Sequence, residues 1–366
     1  MPRGASARAS LAGGACPATG RAGWEVRRAP DPGTRYIRAL AMSVELRRNG
    51  MHLTGTPLSL DAKRKSPLCF VSHGHSDHIA RHERTIATAA TLRFMTHRLG
   101  PVNAPLAVPY GQPFDLGALV LELLPAGHIL GSAQLRVIRS DGKRIVYTGD
   151  LNVGPSLTAE ATVVAECDTL VIESTFGHPR YRFPPRAEVM GQVEAWVRKQ
   201  LERGAVPVLL GYPLGKSQEA MKFLAGRGFP LVAHASVYEV AQLYAELGVP
   251  IENLRLYDGK VEPGEVLFIP PHQARGGALA PLWPRATAVL TGWAVDPGAA
   301  RRCGADVAFP LSDHADFPSL VSYAKATGAN EVITCHGFAE ELAQALRDAG
   351  MDARPLGGKP QQLTLL

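Results

Sequence analysis

Short apolar runs alternate with polar, glycine-rich breaks along most of this chain, and their spacing sets the expected elements. From Ser43 to about Pro67, brief apolar stretches punctuated by Gly50, Gly55 and Pro57 read as short strands and turns. Leu68-Cys69-Phe70-Val71 is apolar, compact and bounded by Pro67, which predicts a buried strand. Thr85 to Leu99 reads as a strand followed by a helix, and Leu116 to Leu124 as a strand. Arg144 to Thr148 and Asp168 to Ile172 are two further strands. The clearest helix is Arg186 to Gly204, where Val189, Val193, Trp196, Val197 and Leu201 form one apolar stripe. Strands at Val206 to Leu210, Leu231 to Ala233, Val266 to Ile269 and Thr287 to Leu290 then alternate with helices at Ser217 to Ala225 and Val237 to Leu247. That alternation predicts a small parallel α/β domain. Asp306 to Pro310 and Glu331 to Thr334 are the last expected strands, and Ala339 to Gly350 is a closing amphipathic helix.

Side chains capable of chemistry collect where these strands end. Ser72-His73-Gly74-His75-Ser76-Asp77-His78 puts four metal-capable groups within six residues, directly after a buried strand. In an extended segment His73 and His75 point the same way, and a turn after Ser76 swings Asp77 and His78 toward a second point nearby. Imidazole with carboxylate suits zinc best, with manganese or iron as second choices. The competing reading is a polar loop that is rich in histidine by chance. Gly149-Asp150 closes the strand that ends at Thr148, and Glu173 follows Ile172. His128 lies between Gly127 and Gly131 in a loop after a strand, as a candidate third ligand for the first metal. His314 and His336 also follow strands. Strand ends on one edge of a layered α/β structure converge on one cleft. Asp61, after Leu58-Ser59-Leu60, is either a buttress for a metal-bound histidine or a surface turn residue. His82 and His97 read as surface or packing histidines.

Gly211-Tyr212-Pro213-Leu214-Gly215-Lys216-Ser217 is not a P-loop, because three residues separate its glycines where four are needed. Lys216 and Ser217 at a helix start suit a substrate phosphate, and a plain turn into a helix explains them equally well.

Composition narrows the classes. The chain has 366 residues, 46% hydrophobic, enough for one large core or two medium ones. No run of 18 apolar residues is present, so no membrane span is expected. Five widely spaced cysteines without a CxxC pair argue against a disulfide framework and for a reducing, cytoplasmic setting. The net charge of +6 is mostly local: residues 1–41 hold seven arginines against Glu25 and Asp31, leaving +1 for the rest. Charge alone therefore does not mark the folded body as a polyanion binder. Residues 1–41 lack hydrophobic periodicity and read as disordered. They are a transit peptide, a nucleic-acid tail, or an untranslated stretch ahead of a true start at Met42.

Taken in order, these residues resemble the metallo-β-lactamase superfamily and, within it, the β-CASP nucleases. His73-Gly74-His75-Ser76-Asp77-His78 is similar to the HxHxDH signature, with Asp61, His128 and Asp150 matching the neighbouring motifs. Glu173, His314 and His336 resemble the three extra motifs of the branch, in the right order. The resemblance implies an αββα sandwich split into residues 42–180 and 304–366, with a smaller α/β domain inserted at 181–303. It implies two zinc ions, with manganese as the alternative: His73, His75 and His128 on one, Asp77, His78 and His336 on the other, and Asp150 between them. It assigns proton transfer to His314 held by Glu173, and places Asp77 and Asp61 in the catalytic set.

More narrowly, Glu173-Ser174-Thr175-Phe176-Gly177, Tyr181-Arg182-Phe183-Pro184-Pro185 and Leu214-Gly215-Lys216-Ser217-Gln218 resemble bacterial ligase-associated DNA exonucleases. The implied function is a nuclease, favouring a DNA exonuclease in repair with a functional link to a DNA ligase. Single-stranded nucleic acid is the expected substrate, with Lys216, Ser217, Arg180, Arg182 and Arg186 near its phosphates and Tyr181 or Tyr212 stacking on a base. His336 points to the alternative, since RNA-processing members keep a histidine at that motif and eukaryotic DNA-processing members generally lack one. A small-substrate metallo-hydrolase is the more distant alternative, because an inserted domain argues against it.

Overall fold

Residues 43–357 are described by the structure, a computed structural model. The expectations for residues 1–41 lie outside them. Three sheets organise the chain. The first runs in sequence order through β1 (Val44–Arg47), β2 (Gly50–Leu53), β3 (Leu58–Leu60), β4 (Leu68–Phe70), β5 (Thr85–Ala87) and β6 (Pro105–Ala107), with α1 (Ala89–Leu99) between the last two. Thr88 caps α1 by accepting from the Thr91 amide, so the helix starts immediately after the strand.

The expected strand over 116–124 is a hairpin: β7 (Phe114–Leu116) turns at Gly117 into β8 (Leu119–Pro125). β9 (Ala133–Ile138), β10 (Arg144–Tyr147) and β11 (Thr169–Glu173) follow in the second sheet. The chain then leaves through α2 (Arg186–Glu202), β12 (Val206–Leu210), α3 (Lys216–Ala225), β13 (Leu231–Ala233), α4 (Ala235–Glu246), β14 (Leu254–Leu256) and β15 (Val266–Ile269). The short helix α5 (Pro271–Gln273), β16 (Arg285–Leu290), the short helix α6 (Ala299–Cys303) and β17 (Val307–Phe309) complete that excursion. All pairings in the third sheet, ordered β14-β13-β15-β12-β16-β17, are parallel. Its last strand comes from residues 307–309, so the sheet extends past residue 303. The chain returns through α7 (Phe317–Ala326), β18 (Glu331–Cys335), α8 (Ala339–Asp348) and β19 (Asp352–Pro355), which finish the second sheet as β19-β18-β11-β10-β9-β8-β7.

Side-chain alternation explains the layers. Leu58, Leu60, Leu68 and Phe70 of the first sheet meet Leu121, Leu123, Leu135, Ile145 and Tyr147 of the second in one core. The opposite faces carry Cys69 and Val71 against Met95 of α1, and Val146, Leu170, Ile172 and Val332 against Leu320 of α7 and Leu346 of α8. Helix, sheet, sheet and helix therefore stack in four layers, with the third sheet as the inserted α/β unit. Within that unit, Leu209 faces α2 and α3 while Val208 and Leu210 face the opposite cluster. Among the described residues no helix is long and apolar enough to cross a membrane. Their four cysteines are free.

Candidate metal centre

The strand ends converge between the two sandwich sheets. His73 follows β4 of the first sheet, while Asp150 follows β10, Glu173 ends β11, and His336 follows β18 in the second. β10, β11 and β18 are parallel neighbours, and Glu173 pairs with Cys335, so these residues emerge on one edge. Gly149 allows β10 to end against the histidine loop. Its φ is +57°, and a Cβ there would lie 2.6 Å from Ser72 Cβ.

His73 Nε2 lies 3.0 Å from His75 Nδ1, which lies 3.0 Å from His128 Nε2. Asp150 Oδ2 stands 3.4 Å from His73 Nε2 and 3.7 Å from His128 Nε2. The other ring nitrogens decide the tautomers. His75 Nε2 donates to the Leu214 carbonyl at 3.1 Å, and His128 Nδ1 to the Asp313 carbonyl at 2.8 Å. The Ser72 hydroxyl donates to Asp61 Oδ2 at 2.5 Å and so accepts from His73 Nδ1 at 2.9 Å. Three lone pairs and a carboxylate oxygen therefore face one point with no hydrogen among them. That arrangement is repulsive without a cation. Tetrahedral coordination at about 2.0–2.1 Å has edges of about 3.3–3.4 Å, close to the distances observed.

Asp150 Oδ2 also lies 3.4 Å from His78 Nε2, which is 3.6 Å from Asp77 Oδ2. The buried His336 Nε2 has no hydrogen-bond partner, and its ring centroid is 5.8 Å from that of His78. An orphaned imidazole nitrogen near the His78 ring suits a second cation. Ligand atoms lie close enough together to hold a metal ion in His73, His75, His128 and Asp150, in Asp61, His73 and His78, and in Asp150, Glu173 and His314.

At the first cluster the electrostatics agree. Burial holds His73 and His128 well below the usual histidine range, with the neighbouring histidines adding to it, and holds His75 at about 4. Neutral imidazole is the ligand-competent form. Burial also lowers His78, but the carboxylates of Asp150 and Asp61 overcome it and raise the ring to about 10. Burial pushes Asp150 up to about 6 despite His78 and His314. Asp61 is close enough to be a ligand, yet its oxygens already accept from the Ser72 amide, the Ser72 hydroxyl, His78 Nδ1 and Tyr147. It orients His78 instead.

His314 Nδ1 lies 3.0 and 3.1 Å from the two oxygens of Glu173, and its Nε2 lies 4.0 Å from Asp150 Oδ2. Burial opposes charge on His314, while Glu173 and Asp150 raise it to about 9. The fully buried Glu173 is fixed by the Leu151 amide at 2.6 Å and the Thr175 amide at 3.2 Å. A cavity of about 220 Å³ adjoins His314, lined by Asn152, Phe183, Pro185, Leu311 and Ser319 among others.

The expected substrate contacts fare differently. Lys216 Nζ is ion-paired with the buried Asp313 at 2.9 Å, and the Ser217 hydroxyl donates to the Tyr212 carbonyl at 2.5 Å. Both side chains are already engaged within the protein. Tyr181 cannot stack on a base, because it is fully buried against Phe176, Trp293 and Phe338. Arg186 pairs with Glu219 at 3.1 Å, and Arg180 with Asp296 at 3.6 Å. Arg182 is exposed and has no ion-pair partner among the described residues, and Tyr212 is 51% exposed. His82 is buried, and His97 lies 3.7 Å from Glu239. Sequence reasoning missed Ser72, Tyr147, Leu214 and Asp313 as supports. Only the adjacency of Ser72 and Asp313 to site histidines offered a signal.

No family model matches the chain. It is 36% identical over 310 residues to a "Probable DNA ligase" of Opitutus terrae, covering 84% of this chain and 30% of that protein. It is 32% identical over 147 residues to an "Uncharacterized protein in lig 3'region" of Acidianus ambivalens, 39% of this chain and 100% of that protein. An "RNase aCSPSF2" of Saccharolobus solfataricus is 32% identical over 128 residues, 34% of this chain and 25% of that protein. The chain thus spans less than a third of the ligase and of the RNase. A solved structure of a protein of unknown function from Enterococcus faecalis V583 shares the fold, with a TM-score of 0.54 and 14% identity over 81% of this chain and 80% of that one. This chain belongs to the metallo-β-lactamase superfamily, in its β-CASP branch.

Proposed function

We propose that the protein is a metal-dependent phosphodiesterase acting on nucleic acid, with two zinc ions, or manganese in their place, held across Asp150. The observation that carries this reading is His314, which presents Nε2 to the shared Asp150 while both oxygens of Glu173 hold Nδ1. His73, His75, His128 and Asp150 would hold one ion, and Asp77, His78, His336 and Asp150 the other. Such a pair supplies Lewis acidity, making water nucleophilic at neutral pH and neutralising charge on phosphoryl oxygens. Glu173 keeps the Nδ1 proton in place and favours the charged ring, so His314 can give its Nε2 proton to the departing sugar oxygen. With the inserted unit as a roof over the cleft beside His314, a single strand would enter more easily than duplex. Arg182 and Tyr212 are the exposed groups available for a phosphate and a base.

DNA is the favoured substrate, because the similarity to a probable DNA ligase covers most of this chain. The same similarity supports a functional link to a DNA ligase, and the resemblance to ligase-associated exonucleases extends the proposal to exonuclease action in repair. His336 and the RNase relative favour the second reading, an RNA-processing enzyme with the same site. The test is degradation of matched 5′-labelled single-stranded DNA and RNA by zinc-loaded protein, with and without chelator. Chelator-sensitive loss of DNA with RNA spared supports the first reading, and the reverse preference supports the second. Activity on neither overturns the proposal.

A further inference from the structure

Two of the three histidines around the first cluster point are oriented by carbonyls from outside the sandwich's first half. His75 is held by Leu214, in the loop between β12 and α3 of the inserted unit. His128 is held by Asp313, just past β17 where the chain returns. Lys216 joins the two supports. Its ammonium lies 2.9 Å from Asp313 Oδ2, and its amide donates to the same oxygen at 3.1 Å. Asp313 and Lys216 are both buried, so the pair is shielded from water. Burial works against a charged Asp313, and Lys216 followed by Arg186 holds its carboxyl below the usual range.

The loop is stiffened from within. Ser217 Oγ donates to the Tyr212 carbonyl, Gln218 Nε2 to the Pro213 carbonyl at 2.8 Å, and the Gly215 amide to Gln218 Oε1 at 2.9 Å. It is also pressed against the site. At Gly215, where φ is +103°, a Cβ would lie 2.7 Å from Asp313 Oδ2 and 2.8 Å from Ile129 Cγ2. Leu214 is buried with Phe94 of α1, Ile129, Leu130 and Val240 of α4, so an apolar seam holds the loop down over the residues following His128.

We infer that Lys216 is a positioning residue: by fixing Asp313 it orients His128, and together with the Leu214 carbonyl it makes metal affinity in the sandwich depend on the seating of the inserted unit. This rests on the reading of the cluster as a metal site. The loop that resembled a phosphate cradle in sequence thus serves the metal ligands from behind. An ion pair that merely fastened two units would have no effect on the far nitrogens of His75 and His128. Outer partners of this kind typically change metal affinity by about 10–100-fold.

The experiment measures zinc affinity of the full chain by competition with a chromogenic chelator, for wild type, Lys216→Met, Lys216→Arg and Gly215→Ala. The expected result is about 10–100-fold weaker binding at one site in Lys216→Met and Gly215→Ala, with Lys216→Arg closer to wild type. Cobalt loading adds a spectroscopic readout, in which Lys216→Met alters the visible bands of that site. Equal affinities and unchanged bands, alongside a lowered melting temperature of the metal-free variants, would overturn the inference in favour of a fastening role. Wild-type protein supplies a second measurement should the variants fail to fold. Coupling is reciprocal, so zinc must slow amide hydrogen exchange across residues 211–218 as well as in the histidine loops. Protection confined to the histidine loops would also overturn it. Zinc binding by a wild type that cleaves no nucleic acid would sink the proposed function and leave this inference standing.

Discussion

Tyr147 donates its phenolic hydrogen to Asp61 Oδ2 across 2.7 Å, joining the end of β10 in the second sheet to the loop after β3 in the first. Both residues are buried beneath the histidine cluster, and Asp61 passes the constraint to His78 at 3.0 Å. The two sheets are thereby joined beside the histidine cluster.

Tyr147→Phe should therefore act on both stability and metal. Losing a hydrogen bond to a charged group costs about 1.5–3 kcal/mol, read as a lower urea midpoint with an unchanged slope. Asp61→Asn should go further, since it removes the charge facing His78 and turns one of two accepting oxygens into a donor, and should weaken metal binding by about 10–100-fold. Full metal affinity in Asp61→Asn would mean that Asp61 only supports the fold.

His314→Ala should slow turnover by about 10²–10⁴-fold, the usual contribution of a positioned proton donor. Its metal content should stay at the wild-type level, because the three-histidine cluster does not include it. Metal analysis and single-turnover kinetics on one preparation decide this, and loss of metal would move His314 into the ligand set.

Asp150→Ala removes the oxygen that faces His73, His78 and His128 at 3.4–3.7 Å. Bound metal should drop and activity should vanish. A variant that keeps its full complement would refute the shared position. In the wild type, chelation should lower the melting temperature: with free metal at a hundred times its dissociation constant, the bound form gains about 2.7 kcal/mol.

Arg182→Ala should raise KM and flatten the salt dependence of substrate binding while sparing kcat, as expected for a solvent-facing phosphate contact. Arg186→Ala should instead destabilise the protein, because it leaves the buried Glu219 carboxylate without its ion-pair partner at 3.1 Å, with only neutral donors remaining. Thermal melts beside steady-state kinetics separate the two effects.

Much of the candidate site was legible in sequence because its candidate ligands sit where short buried strands stop. His73, Asp150, Glu173 and His336 each follow or end an apolar run of a few residues, and a run with alternating faces fixes where the next side chain emerges. The supports were not legible. Tyr147 is indistinguishable from a core aromatic until Asp61 is seen opposite, and Leu214 contributes only a carbonyl, which every residue has. Tyr181 and Lys216 misled for the converse reason: each has the chemistry of a substrate contact, and only burial against Trp293 or Asp313 shows that its partner is internal.

By itself, then, the sequence determined many of the strands and helices, the order of the motifs and the donor types, because hydrophobic period and residue chemistry are local properties. The tertiary structure alone decided which lone pairs face a common point, which aspartate is saturated with donors, and which cations are already neutralised. Those outcomes depend on contacts between strands and loops from tens to nearly two hundred residues apart, such as His128 with Asp313, and no local pattern encodes them.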